Sequence, residues 1–468
     1  MRPLALRPVL LVALGKSALN LAVAGRYGWH RDELYYAVAG HHLQGGYVDF
    51  PPVTALLAAF GRLLWGDSLY GLRVFAILAG AAVVVLAAAI SRELGGGRRA
   101  QVLAAVLVGF SPILVATNGL FQPVSFDQLA TMVVLFLALR IALGRGSWPL
   151  LGLAIGVGLE TKYTLAVVVG VLLIAFLLLR RDALEPRGVA IAAAIAFVVM
   201  IPNLLWQLDH NWASVRFFVN PPPSASDESR PEFIANVLLL TGLVSLPVAY
   251  AGIRMLIRDR LLRPFGWMVI AVVLVYFVLG GKSYYALPVS LFALSTGSLP
   301  LDGWLTTRRL RIAGTAFVVL LVLLLPIGLP VLPEKTADKL GIIDARTDYQ
   351  DELGWHHFAR QVESVDRGAN VVLTENYGEA GALIVLGHGL PPVGSGHVTM
   401  RYWRPDVTGR NAVVVGFNGA RPTFCEPDYR IVAHIHMPVD NEERGLPIAR
   451  CTLAGSLAQV WPRVVSYS

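Results

Sequence analysis

The chain has 468 residues, 55% of them hydrophobic and 15% charged, with a formal net charge of +8. Soluble domains carry about 25% charged residues, so this deficit, with a mean hydropathy of +0.60, excludes an ordinary soluble enzyme. The basic excess does not mark a nucleic-acid-binding protein either, because Lys and Arg stand between apolar runs rather than in one basic patch.

Apolar runs fall near 8–25, 74–91, 101–117, 126–143, 149–161, 164–179, 188–205, 236–253, 265–281, 284–300 and 312–332. Read as spans, they predict a polytopic α-helical membrane protein of about eleven transmembrane helices. The first run carries Lys16 and lacks a small-residue cleavage site followed by soluble sequence, so it reads as a retained helix, not a cleaved signal peptide.

One set of connections is basic: Arg2 and Arg7; Arg92, Arg98 and Arg99; Arg140 and Arg145; Arg180, Arg181 and Arg187; Arg254, Arg258, Arg260 and Arg263; Arg308, Arg309 and Arg311. The cation bias assigns these to the cytoplasm, with the N-terminus. Parity then decides the stretch 149–179. A single crossing would place Arg180 and Arg181 outside and invert every later loop, whereas a hairpin turning at Glu160–Tyr163 keeps all basic loops inside. The expected plan is a membrane domain over 1–332 with a first extracytoplasmic loop at 26–73. The loop 206–235 contains Pro221, Pro222, Pro223, Ser224, Ala225 and Ser226, and proline there breaks helices on the outer side.

Residues 333–468 regain charge and carry short β-rich runs at 370–374, 412–415 and 430–433, which predict a small extracytoplasmic α/β domain. This domain holds both cysteines, Cys425 and Cys451, and its location outside the cytoplasm is compatible with a disulfide between them.

The polar stretch 26–52 follows the first apolar run directly. Asp32 and Glu33 open an amphipathic segment that Gly45 and Gly46 end. Carboxylates there can cap a helix N-terminus. With Asp49 returning the chain, they can also converge as a base and an orienting group for an acceptor hydroxyl or amine. Lys162 and Lys282 each stand where an apolar run meets the outer surface, beside Tyr163 and beside Tyr284 and Tyr285. Snorkelling explains one such lysine; two suit a lipid-linked phosphate. Asp127 opens the fourth span, as a cap or as a polar wall of a cavity. His388, His397, His434 and His436 make no metal site by spacing. Gly95, Gly96 and Gly97 follow no strand, so no nucleotide loop is expected.

Asp32-Glu33-Leu34-Tyr35-Tyr36, then Gly45-Gly46-Tyr47-Val48-Asp49-Phe50-Pro51-Pro52, Glu160-Thr161-Lys162-Tyr163-Thr164 and Lys282-Ser283-Tyr284-Tyr285-Ala286-Leu287-Pro288 resemble the family 39 glycosyltransferases. That group includes protein O-mannosyltransferases and lipid A aminoarabinose transferases with the GT-C membrane fold. The resemblance covers roughly 8–332; the weaker likeness of Glu375–Ala380 and Ser395–His397 is to the outer domain of bacterial members. It implies inverting transfer of a hexosyl or pentosyl group from a polyprenyl-phosphate donor to a lipid, polysaccharide or protein acceptor on the outer face. No nucleotide sugar or other cofactor is implied, and a divalent metal is neither required nor excluded. Asp32 takes the role of base or acceptor-positioning group, supported by Glu33 and Asp49. Lys162 and Lys282, with Tyr163, Tyr284, Tyr285, Tyr35, His41 and Asp127, bind donor phosphate and substrate. Glu375, Tyr377, Glu379 and His397 are candidate acceptor contacts. Phe50 departs from the pattern, since members often have Lys or His before the Pro-Pro pair. A lipid or sugar transporter without catalysis is the principal rival, and a non-catalytic assembly protein the second.

Overall fold

The computed structural model describes residues 2–220, 228–366, 368–419 and 421–465; the proline segment 221–226 lies outside them. The chain divides into two compact units. One comprises Met1–Ala24, Arg73–Leu205 and Ser226–Val331, the other Gly25–Leu72, Trp206–Ala225 and Leu332–Ser468. A single cut after residue 332 therefore does not describe the units: the first loop clusters with the C-terminal segment.

The first unit is helical. Among the described residues, five helices are long and apolar enough to cross a membrane: Leu6–Val23, Leu69–Glu93, Pro123–Ala142, Pro186–Asp209 and Thr307–Gly328. A sixth is reached if Arg230–Thr241 and Leu243–Arg258, bent by 77°, count as one span. Other apolar runs are helical but shorter or interrupted. Run 101–117 splits into Arg98–Gly109 and Pro112–Thr117, because Pro112 lacks the N–H that would continue the helix. Stretch 149–179 holds two helices, Trp148–Leu159 and Leu165–Leu179, with the break at Glu160–Thr164. The buried Ser91 and Ser298 hydroxyls of this unit meet at 2.9 Å.

The second unit is built on a five-stranded sheet: β1 (Val371–Thr374), β2 (Val393–Ser395), β3 (Asn411–Val415), β4 (Arg430–His434) and β5 (Pro447–Thr452). The order is β2-β1-β3-β5-β4, with β1 parallel to β2 and β3, and β5 antiparallel to β3 and β4. Strands β1, β3 and β4 stand where the apolar runs predict them. Strand β2 is only Val-Gly-Ser, and β5 begins at Pro447 and carries Arg450, so neither has a β-rich signature. Val371, Leu373, Ala412 and Val414 form a core with Leu457, Val460 and Trp461 of the helix Leu457–Val464. Cys425 and Cys451, both buried in this core, form a disulfide with Cα atoms 5.7 Å apart.

Candidate active site

The helix Arg31–Ala39 starts at a closed capping box. His30 Nδ1 accepts the Asp32 N–H at 3.0 Å, and Glu33 Oε2 accepts the His30 N–H at 2.9 Å. Two helix-start donors are thereby satisfied, and Asp32 is placed in the first turn with its side chain free of capping duty. Glu33, fully buried, is engaged in that box. The structure thus gives Glu33, expected to support Asp32 in catalysis, a capping role.

The helix Tyr377–Leu386 repeats the device. The Asn376 side chain accepts the Glu379 N–H, and Glu379 Oε2 accepts the N–H groups of Glu375 and Asn376. Glu379 is 1% exposed and its carboxyl is pushed well up by burial. It holds the chain turn, and Glu375 keeps partial exposure beside it. The two helices pack through glycine. A Cβ on Gly381 would stand 3.0 Å from the carbonyl carbon of Leu34, and one on Gly378 would stand 2.2 Å from Arg31 Cγ. This close approach brings Tyr377 Oη to 2.7 Å from Asp32 Oδ1. Burial raises the Tyr377 phenol well above its ordinary range, so it remains a donor to the carboxylate.

Asp49 lies in the same unit. Tyr35 donates to Asp49 Oδ1 at 2.8 Å and Thr399 donates to the same oxygen at 3.3 Å. Burial pushes the Asp49 carboxyl up to about 7; the hydrogen bonds from Tyr35 and Thr399 oppose that rise, and the Asp32 charge adds to it. Aromatic rings surround the pair. Tyr47 stacks on Phe50 at 4.5 Å, Tyr35 and Tyr36 meet Phe50 edge-on, Tyr35 lies 4.8 Å from Tyr377, and Trp403 stacks on His42 at 4.6 Å. Phe50, where a basic residue was the family expectation, is an apolar member of this wall. Flat rings beside oriented carboxylates suit the apolar faces and hydroxyl edges of a sugar.

His397 faces Tyr377 with ring centroids 5.2 Å apart; burial, with the charges of Arg401 and Arg31, pushes its imidazole down to about 4. It is therefore neutral at pH 7. His41 points elsewhere. Its Nε2 stands 3.0 Å from Asp67 Oδ1 at the surface. Exposed imidazoles pair with a nearby carboxylate at little desolvation cost.

The lysine cluster belongs to the first unit. Lys162 Nζ sits 4.7 Å from the Tyr284 ring centroid and 4.8 Å from that of Tyr285, and Lys282 and Asp127 both act on it electrostatically. Buried Asp127 accepts from Thr164 Oγ1 at 3.2 Å. Tyr163 shares a hydrogen bond with Asn203, which also donates to Glu160. A cation seated on two aromatic faces is held without a bonded carboxylate, which keeps its charge available to an anion.

Among the described residues, no group of three or more His, Cys, Asp or Glu side chains is arranged to hold a metal ion. Three residues of the carboxylate cluster carry no sequence signal of their own: Val398, Thr399 and Trp403. They lie about 350 positions after Asp49 in the chain, and only the fold brings them to it.

Residues 49–206 match the family described as dolichyl-phosphate-mannose-protein mannosyltransferase. Lipid A galacturonosyltransferase RgtD of Rhizobium johnstonii is 30% identical over 191 residues, 40% of this chain and 40% of that protein. The undecaprenyl phosphate-alpha-4-amino-4-deoxy-L-arabinose arabinosyl transferase of Pseudomonas paraeruginosa is 26% identical over 325 residues, 62% of this chain and 56% of that protein. The matches thus span about half the length of these curated relatives. The crystal structure of ArnT from Cupriavidus metallidurans in the apo state superposes with a TM-score of 0.67 at 16% identity, covering 94% of this chain and 97% of that one. The chain is a polytopic helical membrane protein with the fold of this ArnT structure.

Proposed function

We propose that this protein is a membrane glycosyltransferase that moves a sugar from a polyprenyl-phosphate-linked donor to an acceptor on the extracytoplasmic face. The observation that carries this reading is the pair Asp32 and Asp49, each held by a tyrosine hydroxyl within an aromatic wall. In the proposed reaction an acceptor oxygen or nitrogen attacks the anomeric carbon, and its proton passes to a carboxylate of this pair. The bond from the anomeric carbon to the phosphate oxygen breaks in the same displacement, which inverts the configuration. The departing lipid phosphate carries the electron pair, and the Lys162 and Lys282 charges offset it. The names of the matched relatives support an undecaprenyl-phosphate donor and a lipid A-type acceptor. We further propose the topology of about eleven crossings, with a cytoplasmic N-terminus and residues 333–468 outside the cytoplasm.

The test is transfer by purified protein from a radiolabelled polyprenyl-phosphate sugar to extracted envelope lipid. Asp32→Asn is expected to abolish transfer while donor binding persists, and Lys162→Met with Lys282→Met to weaken donor binding about tenfold or more. Wild-type turnover in Asp32→Asn would overturn the carboxylate assignment. Lipid movement without transfer in the wild type would establish a transporter instead.

A further inference from the structure

Thr399 is fully buried at the second position of the short 3-10 helix Val398–Tyr402. Its hydroxyl accepts the Val48 N–H at 2.8 Å and donates to Asp49 Oδ1 at 3.3 Å, while its own N–H donates to Tyr35 Oη at 3.3 Å. A threonine hydroxyl has one proton and two lone pairs, so the Val48 N–H on a lone pair leaves that proton for Asp49. The Thr399 N–H meets the phenol that holds the same carboxylate oxygen. Val398 precedes it at φ +39° and is the one β-branched residue among the described residues in the left-handed region. Such a backbone is strained and persists where its surroundings fix it. Arg401 Nε binds the Val398 carbonyl at 2.6 Å.

We propose that Thr399 is a positioning residue for Asp49: it joins Tyr35 in fixing Oδ1, so that Oδ2 is the oxygen presented to the acceptor. The part played by the acceptor rests on the glycosyltransferase reading; the hold on Asp49 does not. Hydrogen bonds donated to a carboxylate favour its ionised form. The titratable groups facing Asp49 are Asp32, Tyr35 and Tyr36 on the helix Arg31–Ala39 and Tyr377 on the helix Tyr377–Leu386.

The test is an infrared titration of full-length protein in lipid nanodiscs, with the Asp49 carboxyl band isolated by subtracting Asp49→Asn spectra. Thr399→Val is expected to move the Asp49 midpoint upward by about half to one pH unit. Thr399→Ser, which keeps the donor, restores the wild-type value. Thr399→Cys, close in shape and a weaker donor, gives a smaller upward shift and serves if the valine variant does not fold. A midpoint unchanged in both the valine and cysteine variants overturns the proposal. A shifted midpoint in a protein that transfers no sugar leaves the hold of Thr399 on Asp49 established and rejects the glycosyltransferase reading instead.

Discussion

Tyr377 donates its hydroxyl to Asp32 over 2.7 Å, joining residues 345 positions apart in the chain. The first loop and the C-terminal segment thus build one carboxylate site, and neither builds it separately. Removing that hydroxyl in Tyr377→Phe leaves the ring packing in place and deletes one donor to a carboxylate. The expected cost is about 1–1.5 kcal/mol, or roughly tenfold in kcat/KM, measured by transfer kinetics beside an unchanged melting temperature. Wild-type kinetics would show that the hydrogen bond is not used.

The glycine contact that permits this bond can be tested by filling it. A Cβ at Gly381 already stands 3.0 Å from the Leu34 backbone and side chain. Gly381→Val is therefore expected to force the helices Arg31–Ala39 and Tyr377–Leu386 apart, at about 1–3 kcal/mol of overpacking. Transfer should fall further than in Tyr377→Phe, because Asp32 then loses its orientation as well as its donor. Thermal unfolding and kinetics on the same preparation check both effects.

The raised Asp49 carboxyl, at about 7 against an ordinary value of 3.8, has consequences for activity and stability. The base form appears as pH rises through about 7, so transfer should climb across that range. For stability the sign is the reverse. Between about 4 and 7 the folded state binds a proton at Asp49 that the unfolded chain has released, so this group's contribution falls as pH rises and levels off above 7. His397 acts oppositely: its imidazole, lowered from 6.5 to about 4, adds stability as pH rises through that interval. Comparing wild type with Asp49→Asn isolates the first contribution. The variant should lose less stability between pH 4 and pH 7 than the wild type does, measured as the pH dependence of the melting temperature.

The disulfide gives a prediction independent of catalysis. Cys425 and Cys451 are separated by 26 positions, and closing a loop of that length stabilises the fold by about 3–4 kcal/mol in the chain-entropy treatment. Reduction, or Cys425→Ser with Cys451→Ser, should lower the unfolding temperature of the second unit. The expected readout is increased proteolysis of residues 332–468 under native conditions, with fragments identified by mass spectrometry.

Much of the helical architecture was legible because apolar runs separated by arginine leave few alternatives in a bilayer, where backbone groups must be satisfied internally. Residues 149–179 show the reach of that reasoning: a turn at Glu160–Tyr163 was deduced from loop charge, and the helices Trp148–Leu159 and Leu165–Leu179 flank it. The same reasoning did not show that Pro112 would split run 101–117 or that the helix Arg230–Thr241 would bend sharply away from its successor. Asp32 and Asp49 in the second unit, and Lys162 and Lys282 in the first, were legible as charge at an apolar boundary. The capping roles of Glu33 and Glu379 were not legible, because a capping carboxylate is recognised only once its hydrogen bonds are seen.

The sequence by itself determined that this is a helical membrane protein, where its charged exits fall, and that Asp32 and Asp49 stand in one short polar segment. Local patterns suffice for these because hydropathy and charge act residue by residue. Only the tertiary structure decided that Tyr377 grips Asp32, that Thr399 grips Asp49, and that Trp403 joins the aromatic wall. Those contacts depend on helix packing through Gly378 and Gly381 and on the register of a five-stranded sheet. Hydrogen-bond geometry between distant segments is set by packing, and packing has no local signature in the chain.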